Sequence, residues 1–353
     1  MRVLVAMSGG VDSTMAAALL VEAGHEVTGV HLKMADTPSG LPGRGCCTLD
    51  DARDARRVAD ALDIPFYVWD MHDAFTEQVV DDFVTEYAQG RTPNPCIRCN
   101  ERVKYVAVQD RARSAGFDAL ATGHHVRLNQ DETGRWHMFR PVDTGKDQTY
   151  VLYMATQDRL SATLFPCGDY PKATLRAMAK ERRLLTASKP DSSDICFIPD
   201  RDTSGFLHRQ LGSAPGPIVD TQGNEVGTHD GAFAYTIGQR RGLGLGGQAE
   251  PKFVTGIRGN VVQIGSRTDL QVAQLAASGA TWVLGDPPID VENLTARVRY
   301  HGDQYPVTIE VDGDTVTVYF PQARPLGVAP GQAVVFYDGD ECLGGATIDH
   351  ALA

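Results

Sequence analysis

The 353-residue chain lacks any apolar run long enough to cross a membrane, for which about 20 residues are needed. Residues 2–7 already have the pattern of a β-strand, and they lack the basic start, apolar core and cleavage site of a secretion signal. The sequence therefore predicts a cytoplasmic protein. Its 42% hydrophobic and 22% charged residues are typical of a globular chain with roughly two to three domains.

An excess of positive charge is also missing, because the formal net charge is −12. Domains that bind RNA through its phosphates are usually basic, so the overall charge argues against a nucleic-acid partner. Charge nevertheless acts locally, since the Debye length in physiological salt is only about 8 Å. Arginines cluster in four pairs: Arg111 with Arg113, Arg182 with Arg183, Arg240 with Arg241, and Arg297 with Arg299. A solvated surface explains each pair, and composition alone favours that explanation.

The seven cysteines form no obvious disulfide framework, because their number is odd and their spacing irregular. In a reducing compartment such residues serve as ligands or nucleophiles, or are inert buried thiols. The adjacent Cys46 and Cys47 lie in a glycine-rich stretch, and we expect no role for them.

Strand-like and helix-like segments alternate in the first half of the chain. Strands are predicted at 2–7, 26–33, 66–70 and 118–122, and helices at 12–23, 50–63, 74–89 and 101–115. Because strands that are separated by helices usually pair in parallel, this pattern predicts an open α/β sheet.

Helical periodicity fades after about residue 204, where glycine and turn residues become dense. Two hairpins are predicted near the C-terminus, one joining 307–311 to 316–320 and one joining 333–337 to 343–348. The chain is therefore predicted to form three domains: an α/β domain with a parallel sheet over 1–203, a small β-rich central domain over 204–268, and an antiparallel β-barrel over 269–353.

A glycine-rich loop, Ser8-Gly9-Gly10-Val11-Asp12-Ser13, follows the first strand and opens a helix. Glycines let a ligand approach the backbone, and a helix N-terminus offers unpaired amides and a positive dipole end, so the loop suits phosphate. Asp12 suits a magnesium ion beside that phosphate. A capped strand-to-helix turn is the plainer alternative, but the complete hexapeptide after an N-terminal strand disfavours it.

This loop resembles that of the pyrophosphatase-loop family, whose members split ATP to AMP and pyrophosphate and have an adenine nucleotide alpha hydrolase-like fold. The resemblance implies that the loop holds the pyrophosphate end, that the backbone near Leu32 borders adenine, and that Gly123 lines the pocket. The implied ATP-binding residues are Ala6, Met7, Ser8, Gly9, Gly10, Val11, Asp12, Ser13, Leu32 and Gly123.

A second motif, Pro93-Asn-Pro-Cys96-Ile-Arg-Cys99, reads as a rigid, extended loop before a helix. A cysteine near a helix N-terminus, with Arg98 beside it, should have a lowered pKa and thiolate character. A zinc site would need two further ligands, which His124 and His125 could supply. A third motif, Asp191-Ser-Ser-Asp-Ile-Cys196, leaves the exposure of its cysteine open.

Taken with the loop, these motifs resemble the bacterial tRNA 2-thiouridylase family. Further matching strings are Ala121-Thr-Gly-His124, Gly145-Lys-Asp-Gln148, Tyr235-Thr-Ile-Gly-Gln-Arg-Arg241 and Pro330-Gly-Gln332. The match runs in order over nearly the whole chain.

This second resemblance implies an enzyme, a tRNA-uridine 2-sulfurtransferase that uses ATP and Mg²⁺. The C2 oxygen of the wobble uridine is adenylated, a persulfide on Cys196 delivers sulfur, and Cys99 completes release by forming a disulfide with Cys196. The implied partners are tRNA and a persulfide donor or sulfur-relay protein. The residues implied to meet tRNA are Asn94, Pro95, Cys96, His124, Lys146, Asp147, Gln148, Arg299, Tyr300 and Gln332.

Cys96 departs from the family pattern, in which many members carry aspartate at this position. It is either a contact to the base or a third thiol beside Cys99 and Cys196, and three such thiols could ligate an iron–sulfur cluster. Two rival functions stay open: an amide-forming synthetase or nucleobase ligase with the same loop, and a non-catalytic RNA- or metal-binding module.

Overall fold

The structure is a computed structural model that describes residues 1–35, 49–191, 195–245, 250–288 and 291–352. Cys46 and Cys47 lie outside this part. The described strands are β1 (Arg2–Ala6), β2 (Glu26–Lys33), β3 (Phe66–Asp70), β4 (Ala119–Ala121), β5 (Arg127–Gln130), β6 (Trp136–Phe139), β7 (Thr163–Leu164), β8 (Gly216–Val219), β9 (Glu225–His229), β10 (Phe253–Arg258), β11 (Val261–Gly265), β12 (Gln274–Trp282), β13 (Leu294–Arg297), β14 (Tyr305–Pro306), β15 (Thr308–Asp312), β16 (Thr315–Tyr319), β17 (Ala333–Asp338) and β18 (Glu341–Leu352).

The α-helices of the described residues are α1 (Val11–Glu22), α2 (Leu49–Ala61), α3 (His72–Phe75), α4 (Asp81–Ala88), α5 (Pro95–Arg98), α6 (Gln109–Ser114), α7 (Gln157–Ser161), α8 (Lys172–Glu181) and α9 (Thr203–Leu211). Two π-helical segments, Thr76–Val80 and Cys99–Val108, join α3 to α4 and α5 to α6. Within the described residues, no helix is both long and apolar enough to span a membrane.

The N-terminal sheet is parallel and has the strand order β3-β2-β1-β4-β7. The order reverses between β1 and β4, because the chain first builds outward on one side of β1 and then on the other. Ligands of open α/β sheets bind in the crevice at the carboxyl ends of the strands on either side of such a reversal. The Ser8–Ser13 loop follows β1 and Gly123 lies just after β4, so both stand at this crevice.

Alternate residues of β1 serve the two faces of this sheet. Val3 and Val5 pack in an apolar cluster with α1, α2 and α8, whereas Leu4 packs in a second cluster that holds Phe75, Cys99 and the π-helical segment after it. The alanine-rich α1 is buried almost all round, which fits its central place between sheet and helices. The predicted α/β fold is thereby confirmed.

One predicted boundary was wrong in an informative way. Residues 93–99 do not form an extended loop, because helix α5 begins at Pro95, ahead of the start predicted at 101. Asn94 caps this helix by accepting a hydrogen bond from the Cys96 amide at 3.0 Å, and Pro95 occupies the first helical position. Asparagine followed by proline is a helix-start pattern as well as a turn pattern.

The second half is β-rich, as predicted. The central residues form a four-stranded sheet of order β10-β11-β8-β9. The C-terminal residues form a curled antiparallel sheet in which β12 pairs with both β16 and β18, and both predicted hairpins are present as β15–β16 and β17–β18. The sequence did not predict the hairpin β5–β6, which joins the C-terminal sheet through the pairing of β6 with β18.

Candidate active site

Hydrogen bonds of the Ser13 hydroxyl fix the loop between β1 and α1. Ser13 accepts a hydrogen bond from the Ser8 amide at 3.1 Å and donates one to the Gly10 carbonyl at 3.2 Å. Gly10 is the N-cap residue of α1, and no side chain caps the first turn. The helix therefore presents its N-terminal amides and the positive end of its dipole at the loop.

Two glycines let neighbouring backbones approach this loop closely. Gly9 has a φ of +76°, and a β-carbon there would collide with the backbone of Asp51 at the start of α2. A β-carbon on Gly123 would stand 2.6 Å from the Asp12 carbonyl carbon and the Ser13 amide nitrogen. Larger residues at either position would push α2 or β4 away from the loop.

The Asp12 carboxylate is held on both sides. Its Oδ1 lies 3.1 Å from Nε2 of the buried His125, and its Oδ2 contacts Nζ of Lys172. Burial alone would raise the pKa of Asp12, but the His125 hydrogen bond and the Lys172 charge outweigh burial and lower it. Asp12 is therefore ionised at neutral pH.

Lys172 also connects the loop to Asp191. Its ammonium lies 3.1 Å from the Asp191 carboxylate, which further contacts Lys146 at 2.9 Å and Arg176 at 2.6 Å. Lys172 is only 7% exposed. Sequence reasoning missed His125 as an Asp12 partner and missed Lys172 altogether, because their contacts with the loop are set by tertiary structure. We call the loop with His125, Lys172, Gly123 and Asp191 the nucleotide end.

The other residues implied to bind ATP lie in or beside the core. Met7, Val11 and Leu32 have buried side chains, and Ala6 is half-buried at the end of β1. The side chains of Met7, Val11 and Leu32 therefore serve the core, and their backbone is what they would offer a nucleotide. His31 Nδ1 lies 3.0 Å from the Met7 carbonyl oxygen, which ties the ends of β1 and β2 together.

The two cysteines implied to be catalytic lie against the same apolar cluster. Cys99 is 8% exposed and begins the π-helical segment, with its sulfur 3.9 Å from that of Met34. Cys196 is half-buried against this cluster together with Phe197, whose ring meets Phe75 edge-on. We call this part of the site the thiol end.

Arg98 does not stand as an uncompensated positive charge beside Cys99. Its guanidinium lies 3.0 Å from Glu101 and 3.5 Å from Asp82. The expectation that Arg98 would activate this thiol by its charge is therefore weakened, because two carboxylates share the charge.

Several of the residues implied to meet tRNA lie close to one another and to His125 of the nucleotide end. Cys96 is exposed and lies near Tyr300. Burial, followed by the charges of Cys96 and Asp147, raises the pKa of Tyr300 to about 12. Tyr300 hydrogen-bonds to Gln148, whose amide oxygen accepts from the His125 amide at 2.8 Å. Asn94 and Pro95 lie directly before Cys96 as helix cap and first helical residue.

His124 directly precedes His125 of the nucleotide end in the chain. Its Nδ1 lies 2.6 Å from the Thr122 hydroxyl, and its ring meets Phe165 edge-on. Burial, followed by the charges of Lys104 and His125, lowers the pKa of His124 well below its ordinary value. The imidazole is therefore neutral at physiological pH.

The remaining candidates have different surroundings. Asp147 is buried, and its carboxylate accepts from Arg140 at 3.0 Å and Arg297 at 2.8 Å. Gln332 donates to the Thr92 carbonyl at 2.7 Å, which fastens the C-terminal sheet to the chain before Asn94. Arg299 is exposed and forms no ion pair with a described residue.

The residues of the site suit one of the two implied metal groups, Mg²⁺, better than the other, an iron–sulfur cluster. The ionised Asp12 suits Mg²⁺, although Lys172 holds the same carboxylate. Across the described parts of the chain, no three histidine, cysteine or carboxylate side chains converge to hold a metal ion. Cys96, Cys99 and Cys196 are all described, so their arrangement does not fit three ligands of one iron–sulfur cluster.

Three family models match the chain. They are described as a tRNA methyl transferase HUP domain over residues 1–200, a tRNA methyl transferase PRC-barrel domain over 204–266 and an aminomethyltransferase beta-barrel domain over 272–348.

Curated relatives match over almost their entire length. The tRNA-specific 2-thiouridylase MnmA of Acidothermus cellulolyticus is 52% identical over 99% of this chain and 97% of its own. That of Salinispora tropica is 53% identical over 98% of each chain.

Solved structures match more distantly. A 4-thiouridine synthetase in complex with RNA and ATP has a TM-score of 0.38 at 15% identity, covering 60% of this chain and 50% of its own. The NMN synthetase of Francisella tularensis has a TM-score of 0.33 at 17% identity, covering 54% and 65%. Likeness at this level carries no argument about function.

Proposed function

The chain belongs to the tRNA-specific 2-thiouridylase family, and on that basis we propose that it replaces the C2 oxygen of the wobble uridine of tRNA by sulfur at the expense of ATP. The observation that carries the proposal is the shared position of Cys99 and Cys196. These residues are far apart in sequence, yet they lie against one apolar cluster, which also holds Leu4 of β1, the strand that leads into the Ser8–Ser13 loop. A loop for phosphate and two thiols are the parts that this reaction needs.

In the proposed first step the uridine C2 oxygen attacks the α-phosphorus of ATP. A bond forms between that oxygen and phosphorus, the bond to the bridging oxygen breaks, pyrophosphate leaves, and the N3 proton is lost. The amides at the start of α1 and the hydroxyls of Ser8 and Ser13 would hold the pyrophosphate. Mg²⁺, held by Asp12, would neutralise phosphate charge.

In the proposed second step a persulfide on Cys196 attacks C2 with its outer sulfur, and AMP leaves with the former C2 oxygen. The Cys99 thiolate then attacks the inner sulfur of Cys196, so that a Cys99–Cys196 disulfide forms and the thiolated uridine is released. An external thiol must reduce this disulfide before another turnover. The persulfide itself would come from a sulfur-donor or relay protein.

The distribution of charge along the chain supports a tRNA partner better than the net charge does. Residues 204–268 hold six lysines and arginines against four acidic residues, whereas 269–353 hold three against twelve. Four exposed arginines of the central segment form no ion pair with a described residue: Arg240, Arg241, Arg258 and Arg267. Together with Arg299, they are available for phosphates of the RNA backbone.

Tyr300, Gln148 and Cys96 lie close together and are the side chains that the entering base would meet. A wobble base must leave the anticodon stack to reach C2 chemistry, so the pocket must accept a flipped nucleotide. Asn94 and Pro95 fix the start of α5, which carries Cys96, and the neutral His124 directly precedes His125, whose amide binds Gln148.

Mass spectrometry of tRNA nucleosides tests the proposal. Unmodified tRNA is incubated with the protein, ATP, Mg²⁺ and a persulfide donor, and reactions without ATP or without donor serve as controls. We expect oxygen-to-sulfur exchange on the wobble uridine only in the complete mixture. A methylated nucleoside formed with a methyl donor, or no tRNA product at all, would overturn the assignment.

A further inference from the structure

The carboxylate of Asp191 occupies a place where three cations converge. Its oxygens lie 2.9 Å from Lys146 Nζ, 3.1 Å from Lys172 Nζ and 2.6 Å from an Arg176 guanidinium nitrogen. One carboxylate thus forms ion pairs with three positively charged groups. Although burial alone would raise the pKa of Asp191, hydrogen bonds and charges from both lysines hold it well below its usual range.

One of these cations, Lys172, belongs to the nucleotide end, and a second, Lys146, lies within the field of Asp12. Lys172 Nζ contacts Asp12, one residue before Ser13 of the loop, and Lys172 is 7% exposed. Lys146 lies across Asp191 from Lys172, and Asp12 and Asp143 add to the field that raises the pKa of Lys146, to which Asp191 contributes most. Ammonium groups beside exposed helix amides and serine hydroxyls are a typical phosphate-binding set.

We propose that Lys146 and Lys172 bind the β- and γ-phosphates of ATP, and that Asp191 is an internal competitor that holds these lysines when no phosphate is bound. The inference rests on the proposed function for the identity of the nucleotide alone. Binding ATP then requires Lys146 and Lys172 to exchange a carboxylate for phosphate oxygens. After adenylation, the same carboxylate competes with the leaving pyrophosphate and favours its release.

Arg176 keeps the competitor nearby. Its Nη1 donates to the carbonyls of Ala187 at 2.9 Å and Lys189 at 2.7 Å, while Nη2 holds Asp191. Because Arg176 ties down the chain just before Asp191, the carboxylate can give up the two lysines and still keep one partner. The exchange therefore needs no loss of the anchoring contacts.

The direction in which ligand affinity changes when Asp191 is neutralised distinguishes a competitor from other roles of this residue. Asp191→Asn removes the competitor's charge. This variant should bind pyrophosphate and a non-hydrolysable ATP analogue about three- to tenfold more tightly, because a smaller fraction of the protein molecules has its lysines paired with residue 191. A carboxylate that served as a magnesium ligand, or only as structural support, would give weaker binding when neutralised.

Removing one lysine should act in the opposite direction. Lys146→Met should weaken both ligands about tenfold or more, since a charge-assisted contact is lost. Lys180→Met is the matched control, because Lys180 is exposed on α8 and forms no ion pair with a described residue; Asp158→Asn, which removes only a surface pair with Arg113, is the acidic control. Both controls should bind like wild type.

Isothermal titration with Mg²⁺ and each ligand gives the affinities, and thermal unfolding shows that each variant is folded. Weaker or unchanged binding by folded Asp191→Asn would overturn the proposal, as would unchanged binding by Lys146→Met. If Asp191→Asn fails to fold, Asp191→Ser, which removes the same charge, takes its place in the titrations with the same expected tightening. These assays contain no tRNA and no sulfur donor, so their outcome is independent of whether the chain thiolates tRNA.

Discussion

The nucleotide end and the thiol end of the candidate site are built from opposite kinds of residue. At the nucleotide end, Asp12, His125, Lys172 and Asp191 form a continuous set of ion pairs and hydrogen bonds. At the thiol end, Cys99 and Cys196 lie against aromatic and aliphatic side chains. Phosphate transfer needs preorganised charge, whereas a reactive persulfide benefits from surroundings that exclude water. Variants that damage one end while sparing the other therefore test the comparison.

Cys196→Ser should have the largest effect. We expect it to abolish sulfur transfer and leave adenylation of tRNA intact, because the nucleophile acts after activation. The two products, AMP-linked tRNA and thiolated tRNA, are measured separately. Cys342→Ala, which removes a thiol buried in the C-terminal sheet, is the control. Normal thiolation by Cys196→Ser with a persulfide donor would remove Cys196 from the mechanism.

Asp12→Asn should damage the other end. We expect tRNA-dependent release of pyrophosphate to fall about a hundredfold, because an ionised carboxylate beside the phosphates is lost. Binding of tRNA, followed by filter retention, should stay near that of wild type. Asp169→Asn, which alters an exposed aspartate, is the control. Weaker tRNA binding with unchanged ATP turnover would contradict the assignment.

These two ends differ in how far the sequence could predict them. The Ser8–Ser13 loop is a local motif whose residues all lie between one strand and one helix, so its place at the sheet edge followed from the alternation of strands and helices. Lys172 and His125 reach Asp12 only through tertiary packing, and nothing in their own neighbourhoods marks them. Motifs predict a site's backbone better than its long-range charges.

The thiol end shows the same limit in another form. The motif at 93–99 is visible in the sequence, but its helix begins earlier than predicted, because proline after asparagine is typical both of a loop and of a first helical residue. The hairpin β5–β6 was missed for a related reason, since its short strands gain their partner, β18, from the far end of the chain.

Cys96 extends the comparison, because it is exposed whereas Cys99, three residues later, is buried. We expect Cys96→Ala to raise the KM for tRNA by roughly two- to fivefold through a lost base contact, with kcat for persulfide-driven thiolation little changed. Protein purified without oxygen is assayed in parallel for iron and sulfide. Iron and sulfide in the wild type that disappear in Cys96→Ala would instead make Cys96 a cluster ligand.

Neutralising Arg240 and Arg241 together should have a moderate effect that depends on salt. Each phosphate contact adds about 0.7–0.9 to the slope of log affinity against log salt, so the double glutamine variant should show a shallower slope and weaker tRNA binding at low salt. Adenylation at saturating tRNA should be unchanged. Arg182→Gln is the control, because Arg182 is paired with Glu22 at 2.6 Å. An identical slope in the double variant would place the phosphate contacts elsewhere.

The smallest expected effect lies outside both ends, where His137 on β6 meets β18. Its Nδ1 lies 2.6 Å from Glu341 and its Nε2 lies 3.2 Å from Asp131. Burial alone would lower the pKa of His137, but hydrogen bonds to Glu341 and Asp131 outweigh burial and raise it. A raised pKa means that the folded state holds the proton more tightly than the unfolded state, whose value is about 6.5. The stabilisation is therefore complete below that value and is lost as pH rises through the pKa of the folded protein.

His137→Gln should accordingly lower the melting temperature more at about pH 5.5 than at about pH 8.5, with a difference worth less than about 1 kcal/mol for a partly exposed pair. Thermal unfolding of wild type and variant at both pH values measures it, and His350→Gln, at an exposed histidine that forms no ion pair with a described residue, is the control. Adenylation and thiolation should change little, because His137 contacts neither end of the site. An equal loss of stability at both pH values would mean that His137 acts by packing. Its charge would then contribute nothing to the stability of the contact between β6 and β18.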